Sequence, residues 1–275
     1  MKIFALWDKG RENAPDTVRR CLDRWESMNP NYELVVLDRQ GMFDNMPKLG
    51  IDPATLPIPA ASDVLRAHLL ATHGGVWTDA TVMPMRPLDD WIEDYLAGSG
   101  MFFFSRPGRG RRVASWFIAA RPGNRFMKRL DAEVAAFWDR PRTRERRAPR
   151  WNHLGHEIKR FAPTFTWKVR WLMDDLYPVR PEAREKNLYP YFWFHYLVGY
   201  LEEVDAEARE DLAAMTFRPG NMPHAMQEAR AALSPEDFRR AIPFLLKAAP
   251  VQKLDWKSGW PDEVFVPPPI EEVSR

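Results

Sequence analysis

Two residues of opposite charge share one face of a predicted helix. Asp63 and Arg66 are three residues apart in the segment Ala61–His73, and residues with this spacing are neighbours on a helix surface. One interpretation is an ion pair on the outside of the helix, which the spacing alone favours. The other is a pair that binds a ligand, with the carboxylate on sugar hydroxyls and the guanidinium on a diphosphate, because arginine binds phosphate through two parallel hydrogen bonds.

A second carboxylate, Asp79, follows a short apolar strand predicted at Val76–Trp77. Gly74 and Gly75 precede that strand and are typical of a helix stop. Open α/β sheets present polar groups to ligands at the carboxyl ends of their strands, although a lone acid there also serves as a cap or turn former. Transfer from a nucleotide sugar requires the leaving diphosphate to be neutralised, usually by Mg²⁺ or Mn²⁺ held by a carboxylate.

The elements that would position these residues begin with a strand, a helix and a strand. Lys2–Trp7 and Glu33–Leu37 are apolar, and Pro15–Met28 has apolar residues at helical spacing between them. This order predicts a βαβ unit and a parallel sheet, hence an α/β fold. A Gly-x-Gly-x-x-Gly fingerprint and a Walker-type phosphate loop are both absent, which argues against a dinucleotide enzyme and a P-loop NTPase.

Further elements follow the same pattern of apolar spacing. The segment between Asp38 and Pro59 is predicted as a long loop, and Pro243 is expected to interrupt a helix that starts at Ser234. The other predicted elements are a helix at Leu88–Leu96, strands at Met101–Phe104 and Ser115–Ala120, a helix at Asn124–Trp138 and an aromatic helix at Leu188–Val204.

Composition is that of an ordinary globular protein. The 275 residues are 45% hydrophobic and 28% charged with a net charge of +2, so nothing indicates a general polyanion binder. The single Cys21 rules out an internal disulfide, and the start of the chain does not resemble a signal peptide. We therefore expect a cytoplasmic protein, with any contact to the inner membrane peripheral, because no apolar run reaches the length of a spanning helix.

A basic run interrupts this balanced composition. Arg140–Arg150 carries six arginines and one glutamate and is predicted to be a solvated loop. The alternative is a patch for anionic lipid or a polyanionic acceptor, which the basic and aromatic segment Lys159–Arg170 favours. Nucleic acid is not an expected partner, because no recognised binding motif accompanies the run.

Several motifs together resemble the capsular polysaccharide synthesis protein family, whose relatives are glucosylating toxins and yeast outer-chain mannosyltransferases. The signature is carried by Ser62-Asp63-x-x-Arg66, Gly74-Gly75-Val76-Trp77-x-Asp79-x-Thr81-Val82 and Pro87-Leu88-Asp89. Further similarity lies in the strand ending at Trp7, Cys21-x-x-x-Trp25, Asn29-Pro30-x-Tyr32, Ser115–Ala120, Phe194-His195-Tyr196, Pro223-His224-x-Met226-Gln227 and Pro250–Leu254. The likeness covers about residues 2 to 257.

The resemblance implies a GT-A-type nucleotide-diphospho-sugar transferase fold with added helices in the C-terminal half. It also implies transfer with retention from a nucleotide-diphosphate sugar, most simply a UDP-sugar. Carried over by position, Trp7 would stack on the base, Asp63 and Arg66 would bind the donor sugar, and Asp79 would take the first position of the relatives' Asp-x-Asp. In a retaining transfer the leaving phosphate can accept the proton of the acceptor hydroxyl, so no strong base is required.

Thr81 departs from the relatives' motif, because it stands where the second acid would be. A hydroxyl is a weak, neutral metal ligand, so the Mn²⁺ or Mg²⁺ that the resemblance implies is in doubt. Either Asp79 holds the ion with phosphates and water, or lysine and arginine replace the ion as the counter-charge of the diphosphate. Thr81 itself remains a candidate donor-binding residue.

Three later residues complete the candidate site. His195 lies in an aromatic segment and is either a core histidine or, as the resemblance implies, a catalytic residue that places the acceptor. His224 follows Pro223 at a predicted helix start, where it would bind metal or phosphate or act as a cap. Lys253 is either a phosphate contact on a mobile lid or an ordinary surface lysine.

These inferences predict one glycosyltransferase domain over residues 1–260. Residues 1–138 would form the nucleotide-sugar-binding core, 139–186 a basic insertion and 187–260 a helical part for acceptor and lid, followed by a Pro-rich acidic tail at 261–275. The predicted function is sugar transfer to a bacterial capsular or related polysaccharide, with a saccharide or lipid-linked saccharide as acceptor. The alternative is an accessory protein that binds sugar nucleotide or polysaccharide without turnover.

Overall fold

The computed structural model describes residues 1–108, 110–145 and 165–265. Its strands are β1 (Lys2–Leu6), β2 (Glu33–Leu37), β3 (Gly75–Thr78), β4 (Val82–Pro84), β5 (Met101–Gly108), β6 (Arg111–Ala120), β7 (Thr143–Glu145), β8 (Leu188–Pro190) and β9 (Val251–Lys253). Its helices are α1 (Asp16–Met28), α2 (Arg39–Asp44), α3 (Ile58–His73), α4 (Ile92–Leu96), α5 (Arg125–Phe137), α6 (Phe165–Met173), α7 (Pro181–Arg184), α8 (Trp193–Val204), α9 (Ala206–Ala214), α10 (Ala225–Ala232) and α11 (Pro235–Leu245). Helices predominate in the described part of the second half.

The largest sheet within the described ranges has five strands in the order β2-β1-β3-β6-β5. β1 pairs in parallel with β2 and β3, whereas β6 runs antiparallel to β3 and β5. The parallel pairs arise because helices α1 and α3 return the chain to the starting edge before the next strand begins. The predicted α/β class is confirmed, and a mixed sheet with added C-terminal helices is consistent with the GT-A type.

Both faces of this sheet are covered, as the alternation of side chains along β1 illustrates. Phe4 joins a core cluster with apolar residues of α3, α5 and α8. Ile3, its neighbour in sequence, points to the opposite face and joins a cluster with Trp25 of α1 and Ile92 of α4. Successive strand residues point to opposite faces, so a strand with two covered faces reads as a continuous apolar run.

Two glycines form the joint between α3 and β3. Gly74 has φ +65° and Gly75 has φ +101°, and a Cβ atom at either position would lie 2.5 Å from backbone, from Pro122 N and Lys2 O respectively. Only glycine combines this backbone conformation with so close an approach. The predicted helix stop is therefore confirmed, and it sets how closely β3 lies against the neighbouring chain segments.

Two predicted boundaries in the second half are wrong for reasons that involve proline. The segment Leu188–Val204 is not one helix, because Leu188–Pro190 forms β8 and the helix starts only at Trp193. Pro190 cannot donate a helical hydrogen bond, so the chain stays extended up to it. Conversely, Pro243 does not end α11, which continues to Leu245; it lies exposed near the end of the helix, where few bonds remain to be lost.

The segment Asp38–Pro59 is also more ordered than predicted. Arg39–Asp44 forms helix α2, and the side chain of Asp38 caps it by accepting a hydrogen bond from Gly41 N at 2.8 Å. A helix this short has too few turns to produce a periodic signal. The cap residue was the only local signal that could have indicated it.

The basic run and the tail lie only partly within the described residues. Thr143–Glu145 forms a strand that pairs in parallel with β8, and the side chain of Arg142 is 1% exposed, so this part of Arg140–Arg150 is not a loop throughout. Arg140 and Arg144 are exposed, as predicted. Residues 146–164, with most of the predicted lipid or polyanion patch, fall outside the description. The tail is described as far as Phe265, and Val264 is fully buried. Within the described ranges, none of the helices has the length and apolarity needed to span a bilayer.

Candidate active site

A cavity of about 320 Å³ opens at the carboxyl ends of β1 and β3, the edge at which open α/β sheets bind ligands. We call it the strand-end cavity. It is lined by Leu6, Trp7, Asp8, Ile58, Pro59, Ser62, Asp63, Arg66, Trp77, Asp79, Ala80, Thr81, Ser115, Tyr191, His195, Lys253 and Trp256. All residues predicted to bind a donor, from Trp7 to Lys253, lie in this wall together with His195.

The geometry of α3 and β3 explains why Arg66 and Asp79 meet. The chain turns back at Gly74, because Asp79, the residue after β3, lies 3.4 Å from Arg66 in α3. Eight helical residues from Arg66 to Gly74 rise about 12 Å, and the five extended residues from there to Asp79 cover about 16 Å. The carboxyl end of β3 therefore returns to the level of the first half of α3.

The guanidinium of Arg66 is fixed by hydrogen bonds from all its nitrogens. Nη2 donates to Ser62 Oγ at 2.7 Å, Nε donates to Ser62 O at 3.1 Å, and Nη1 donates to Ser115 O. The same group lies 3.4 Å from Asp63 Oδ1 and 3.4 Å from Asp79 Oδ1. Arg66 is only 5% exposed, so the interpretation of a surface ion pair is wrong. The pair is buried and forms part of the cavity wall.

Asp63 has an unusual protonation equilibrium. Burial raises its pKa from 3.8 to about 7; Arg66 opposes this rise and Asp79 adds to it. A neutral carboxyl group can donate as well as accept a hydrogen bond. Near neutral pH the cavity therefore holds the two cations Arg66 and Lys253 beside Asp79 and a partly protonated Asp63. Asp8, which also lines the cavity, pairs with Arg39.

Asp79 remains ionised in this setting. Burial alone would raise its pKa, but Lys253 and Arg66 outweigh burial and hold the pKa of Asp79 below its usual value. Lys253 Nζ donates to Asp79 Oδ2 at 3.0 Å, and Trp77 Nε1 donates to Asp79 Oδ1 at 3.3 Å. Both carboxylate oxygens are thus engaged by donors of the protein itself.

Lys253 bridges Asp79 and Thr81. Its Nζ donates to Thr81 Oγ1 at 2.7 Å as well as to the carboxylate. β9 pairs antiparallel with β4 and places Lys253 opposite Val82, and Leu254 N donates to Thr81 O at 2.8 Å. The lysine is therefore positioned by strand pairing, and the mobile lid at Lys253 stays a prediction.

These side chains do not fit a resident divalent cation. The ammonium of Lys253 lies between the carboxylate of Asp79 and the hydroxyl of Thr81, where the two acids of an Asp-x-Asp motif would hold an ion, and Arg66 flanks the same carboxylate. Adding Mn²⁺ or Mg²⁺ would place two further charges beside two cations. Within the described ranges no group of three His, Cys, Asp or Glu side chains is arranged to hold a metal.

Aromatic side chains form the outer part of the cavity. Trp7 follows β1 directly and meets Trp256 edge to face, with ring centroids 5.8 Å apart. Trp256 is 46% exposed and Tyr191 is 49% exposed, although both line the cavity. Exposed aromatic faces beside buried charges are suited to stack on a planar base or a sugar ring.

His195 lies between the strand-end cavity and a second cavity. It is 7% exposed, and its Nδ1 is buried without a hydrogen-bond partner in the part of the chain that the structure describes. Burial, assisted by Arg111 and Arg66, lowers its pKa to about 3. The imidazole is therefore neutral at physiological pH. It can form a hydrogen bond with a ligand, but it carries no charge that could neutralise a phosphate group.

His224 does not line the cavity of Asp79. It lines the second cavity with His195, its Nδ1 lies 3.3 Å from Gln227 Oε1, and its ring packs edge to face on Trp116 at 5.6 Å. Burial lowers the pKa of His224. Its predicted metal role stays a prediction; the acidic residue that lines the same cavity is Glu228.

The lining also includes Ser62, Ser115, Tyr191 and Trp256, which were not predicted as site residues. Ser62 and Ser115 position Arg66, and Tyr191 and Trp256 supply aromatic surface. Ser62 and Ser115 belong to motifs that the sequence displays, so they could have been included as positioning residues. Tyr191 and Trp256 follow Pro190 and Asp255 in irregular segments and carry no local signal of a site.

The first half of the chain is similar to a known protein family. The family model for the capsular polysaccharide synthesis protein matches residues 1–145. This stretch contains β1 to β7 and the motifs from Asp63 to Thr81.

Curated relatives are similar over about half of this chain. The "Putative glycosyltransferase HOC1" of Saccharomyces cerevisiae is 23% identical over 153 residues, which are 48% of this chain and 38% of that protein. The "O-glycosyltransferase braB" of Annulohypoxylon truncatum is 29% identical over 159 residues, 50% of this chain and 37% of that protein. The match therefore spans well under half the length of these relatives.

A solved structure named "PaToxG Glycosyltransferase" is similar with a TM-score of 0.37 at 13% identity, covering 78% of this chain and 83% of that chain. The family model matches more than half of the sequence. The chain belongs to the capsular polysaccharide synthesis protein family.

Proposed function

We propose that this protein is a glycosyltransferase that binds a nucleotide-diphosphate sugar in the strand-end cavity and transfers the sugar to a saccharide acceptor. The observation that carries the proposal is the pair of cations Arg66 and Lys253, both held against Asp79 at the carboxyl end of β3. The family and the names of the curated relatives support the same reaction class.

The two cations are suited to the charge that develops on the leaving group. When the bond between sugar and diphosphate breaks, negative charge grows on the diphosphate oxygens, and fixed cations in a partly buried site stabilise that charge. Arg66 offers a planar fork for phosphate and Lys253 a compact point charge. Lys253 and Arg66 then supply the counter-charge that a divalent ion supplies in two-acid sites, so transfer would proceed without metal.

The aromatic side chains at the mouth of the strand-end cavity would bind the nucleoside. Trp7 lies at the mouth beside Trp256, and a base placed there would stack on an indole while its diphosphate reaches inward to Arg66. Stacking on aromatic side chains is worth about 1–3 kcal/mol per base. Uridine is the base that the family resemblance favours.

The carboxylates are suited to the donor sugar. Asp63 and Asp79 lie on either side of Arg66, 3.4 Å from it, and can accept hydrogen bonds from sugar hydroxyls once the ligand displaces part of this network. In the proposed reaction the C1–O bond to diphosphate breaks and a C1–O bond to the acceptor forms. The leaving diphosphate keeps the bonding electrons and takes the acceptor proton, which gives retention without a protein base.

The acceptor is proposed from the family, as a growing capsular or related surface polysaccharide that is free or lipid-linked. His195 stands where the acceptor would approach, because it lines both cavities. As a neutral imidazole it would orient the acceptor hydroxyl through a hydrogen bond.

A donor screen tests this proposal. The full chain is incubated with UDP-, GDP-, dTDP- and CMP-sugars in EDTA and, in parallel, with Mn²⁺, and release of the free nucleotide is measured. We expect release from one donor class in EDTA, with activity abolished in Asp79→Asn and retained in Asp44→Asn, a control on the exposed face of α2. Binding of a donor with no release under any condition would instead support the accessory protein without turnover.

A further inference from the structure

A second cavity of about 340 Å³ adjoins the strand-end cavity, and His195 lines both. We call it the hairpin cavity, because one wall comes from the β5–β6 hairpin. Its lining residues are Pro107, Arg111, Ala114, Trp116, His195, Asn221, His224, Gln227 and Glu228. The volume falls within the range of about 300–1,000 Å³ that is typical of small-ligand sites.

The main charged group of this wall is Arg111. Within the described ranges no carboxylate lies within 4 Å of its guanidinium, whereas the next residue, Arg112, pairs with Glu202 at 2.9 Å. Arg111 donates to Pro107 O at 3.1 Å and lies over the ring of Phe192 at 4.2 Å. A half-buried guanidinium without a counter-ion is costly, and an anionic group of a ligand would offset that cost.

Two ring nitrogens of the same wall are also unsatisfied. His195 Nδ1 and Trp116 Nε1 are both buried without a hydrogen-bond partner among the described residues. An unpaired buried polar atom costs about 1–3 kcal/mol, and such groups in native structures call for an explanation. A ligand rich in hydroxyl groups can both donate and accept hydrogen bonds here after small shifts of the rings.

The wall opposite the hairpin consists of polar side chains. His224 Nδ1 lies 3.3 Å from Gln227 Oε1, and Asn221 and Glu228 are exposed at the opening. Glu228 is the acidic member of the lining. The cavity thus has a cation and an aromatic ring on its hairpin side and hydrogen-bonding side chains on the other.

We propose that the hairpin cavity is the acceptor subsite and that it selects a saccharide carrying an anionic group, which Arg111 binds. This inference rests on the proposed transferase function, because only then must an acceptor meet the donor sugar. His195 forms the shared wall, so an acceptor in the hairpin cavity would present a hydroxyl group at the boundary with the strand-end cavity. The anion is either the carboxylate of a uronic acid or the phosphate of a phosphate-linked saccharide.

Calorimetric titration of the full chain tests the subsite. The probes are methyl glucuronide, glucose 1-phosphate and neutral methyl glucoside, each with the strand-end cavity saturated by the nucleoside diphosphate that binds most tightly. We expect at least one anionic probe to bind about tenfold more tightly than methyl glucoside, the size of one charge-assisted contact. The tighter of the two anionic probes identifies the source of the anion.

Two variants separate charge from packing. Arg111→Met keeps an unbranched side chain over Phe192 but removes the charge, and we expect it to bind the anionic and neutral probes alike. Arg111→Lys should retain part of the preference. Arg106→Met is the matched control. Arg106 is an exposed arginine of the same hairpin that lies over the ring of Phe217 at 5.8 Å and does not line the cavity. This variant should prefer anionic over neutral probes as strongly as the wild type does.

Three outcomes would overturn the subsite. In the first, the wild type binds anionic and neutral probes with equal affinity. In the second, it binds none of the saccharide probes. In the third, Arg111→Met has the thermal stability of the wild type and still binds anionic probes more tightly than neutral ones. Titration of UDP, GDP and ADP alone keeps the two proposals apart. If a nucleotide binds and the saccharides do not discriminate by charge, the subsite fails while the donor site stands; if none binds, the proposed function fails first.

Discussion

Lys253 Nζ lies 3.0 Å from Asp79 Oδ2 although 174 positions separate the two residues in the chain. Pairing of β9 with β4 creates the contact, because it sets Lys253 opposite Val82 and within 2.7 Å of Thr81 Oγ1. The Asp-x-Thr sequence and the late lysine are therefore one structural unit. A cation that belongs to the chain stands where a two-acid motif would hold a metal ion.

Replacing Asp79 with Asn should lower stability as well as abolish transfer. The variant leaves Lys253 and Arg66 without their shared carboxylate, and the loss of a partly exposed charge pair with its hydrogen bonds costs about 1–2 kcal/mol. Urea unfolding at pH 7 measures this cost, with Asp44→Asn as the control that should unfold as the wild type does. An unchanged midpoint for Asp79→Asn would mean that the contacts of Asp79 with the two cations contribute little.

Asp63 should make stability depend on pH in a defined direction. Its pKa is about 7 in the folded protein and 3.8 as the reference for the unfolded chain. Between these values the folded state binds more protons, so the contribution of Asp63 to the free energy of unfolding falls as pH rises. Above pH 7 this destabilisation is complete, and below about pH 4 it is absent.

His195 has the opposite effect, because its pKa is lowered from 6.5 to about 3 and its contribution to stability rises with pH over that interval. The difference between the wild type and Asp63→Asn therefore isolates the carboxyl group. We expect the stability of Asp63→Asn relative to the wild type to increase steadily from pH 4.5 to pH 7, as measured by thermal unfolding. A difference that does not change with pH would show that Asp63 is ionised normally.

The first half of the fold could be predicted because its signals are local. Apolar runs and helical spacing placed β1, α1 and β2 within one or two residues of their observed ends. Asp63, Arg66 and Asp79 could be grouped because one helix, one glycine joint and one strand connect them. The buried state of Arg66 could not be predicted, since it depends on Ser115 O of a strand that is distant in sequence.

The rest of the site depends on long-range contacts. The spacing of Lys253 from its neighbours in sequence does not distinguish it from a surface lysine, and only the β4–β9 pairing brings it to Asp79. Tyr191 and Trp256 reach the cavity from irregular segments, where no periodicity indicates the direction of a side chain. The hairpin cavity likewise joins Arg111 with residues near His224, which are more than a hundred positions away.

Trp256 should contribute to nucleotide binding and little to stability. It is 46% exposed at the mouth of the strand-end cavity and meets Trp7 edge to face, so Trp256→Ala removes a stacking surface rather than core packing. We expect about a tenfold loss of affinity for the nucleoside diphosphate, consistent with one lost stacking contact. Phe244→Ala, which removes a 78% exposed aromatic of α11, is the control for a general effect of surface aromatics. Equal affinities of the two variants would remove Trp256 from the site.

The role of Lys253 is tested most directly by titrating UDP, GDP and ADP into the wild type, Lys253→Met, Lys253→Arg and Lys128→Met in the presence of EDTA. Lys128 is an exposed lysine of α5 outside both cavities. We predict that the wild type and Lys128→Met bind one of these nucleotides without metal, that Lys253→Arg retains most of the affinity, and that Lys253→Met loses at least about tenfold. Binding that requires Mn²⁺ or Mg²⁺ and is unaffected by Lys253→Met would contradict the account.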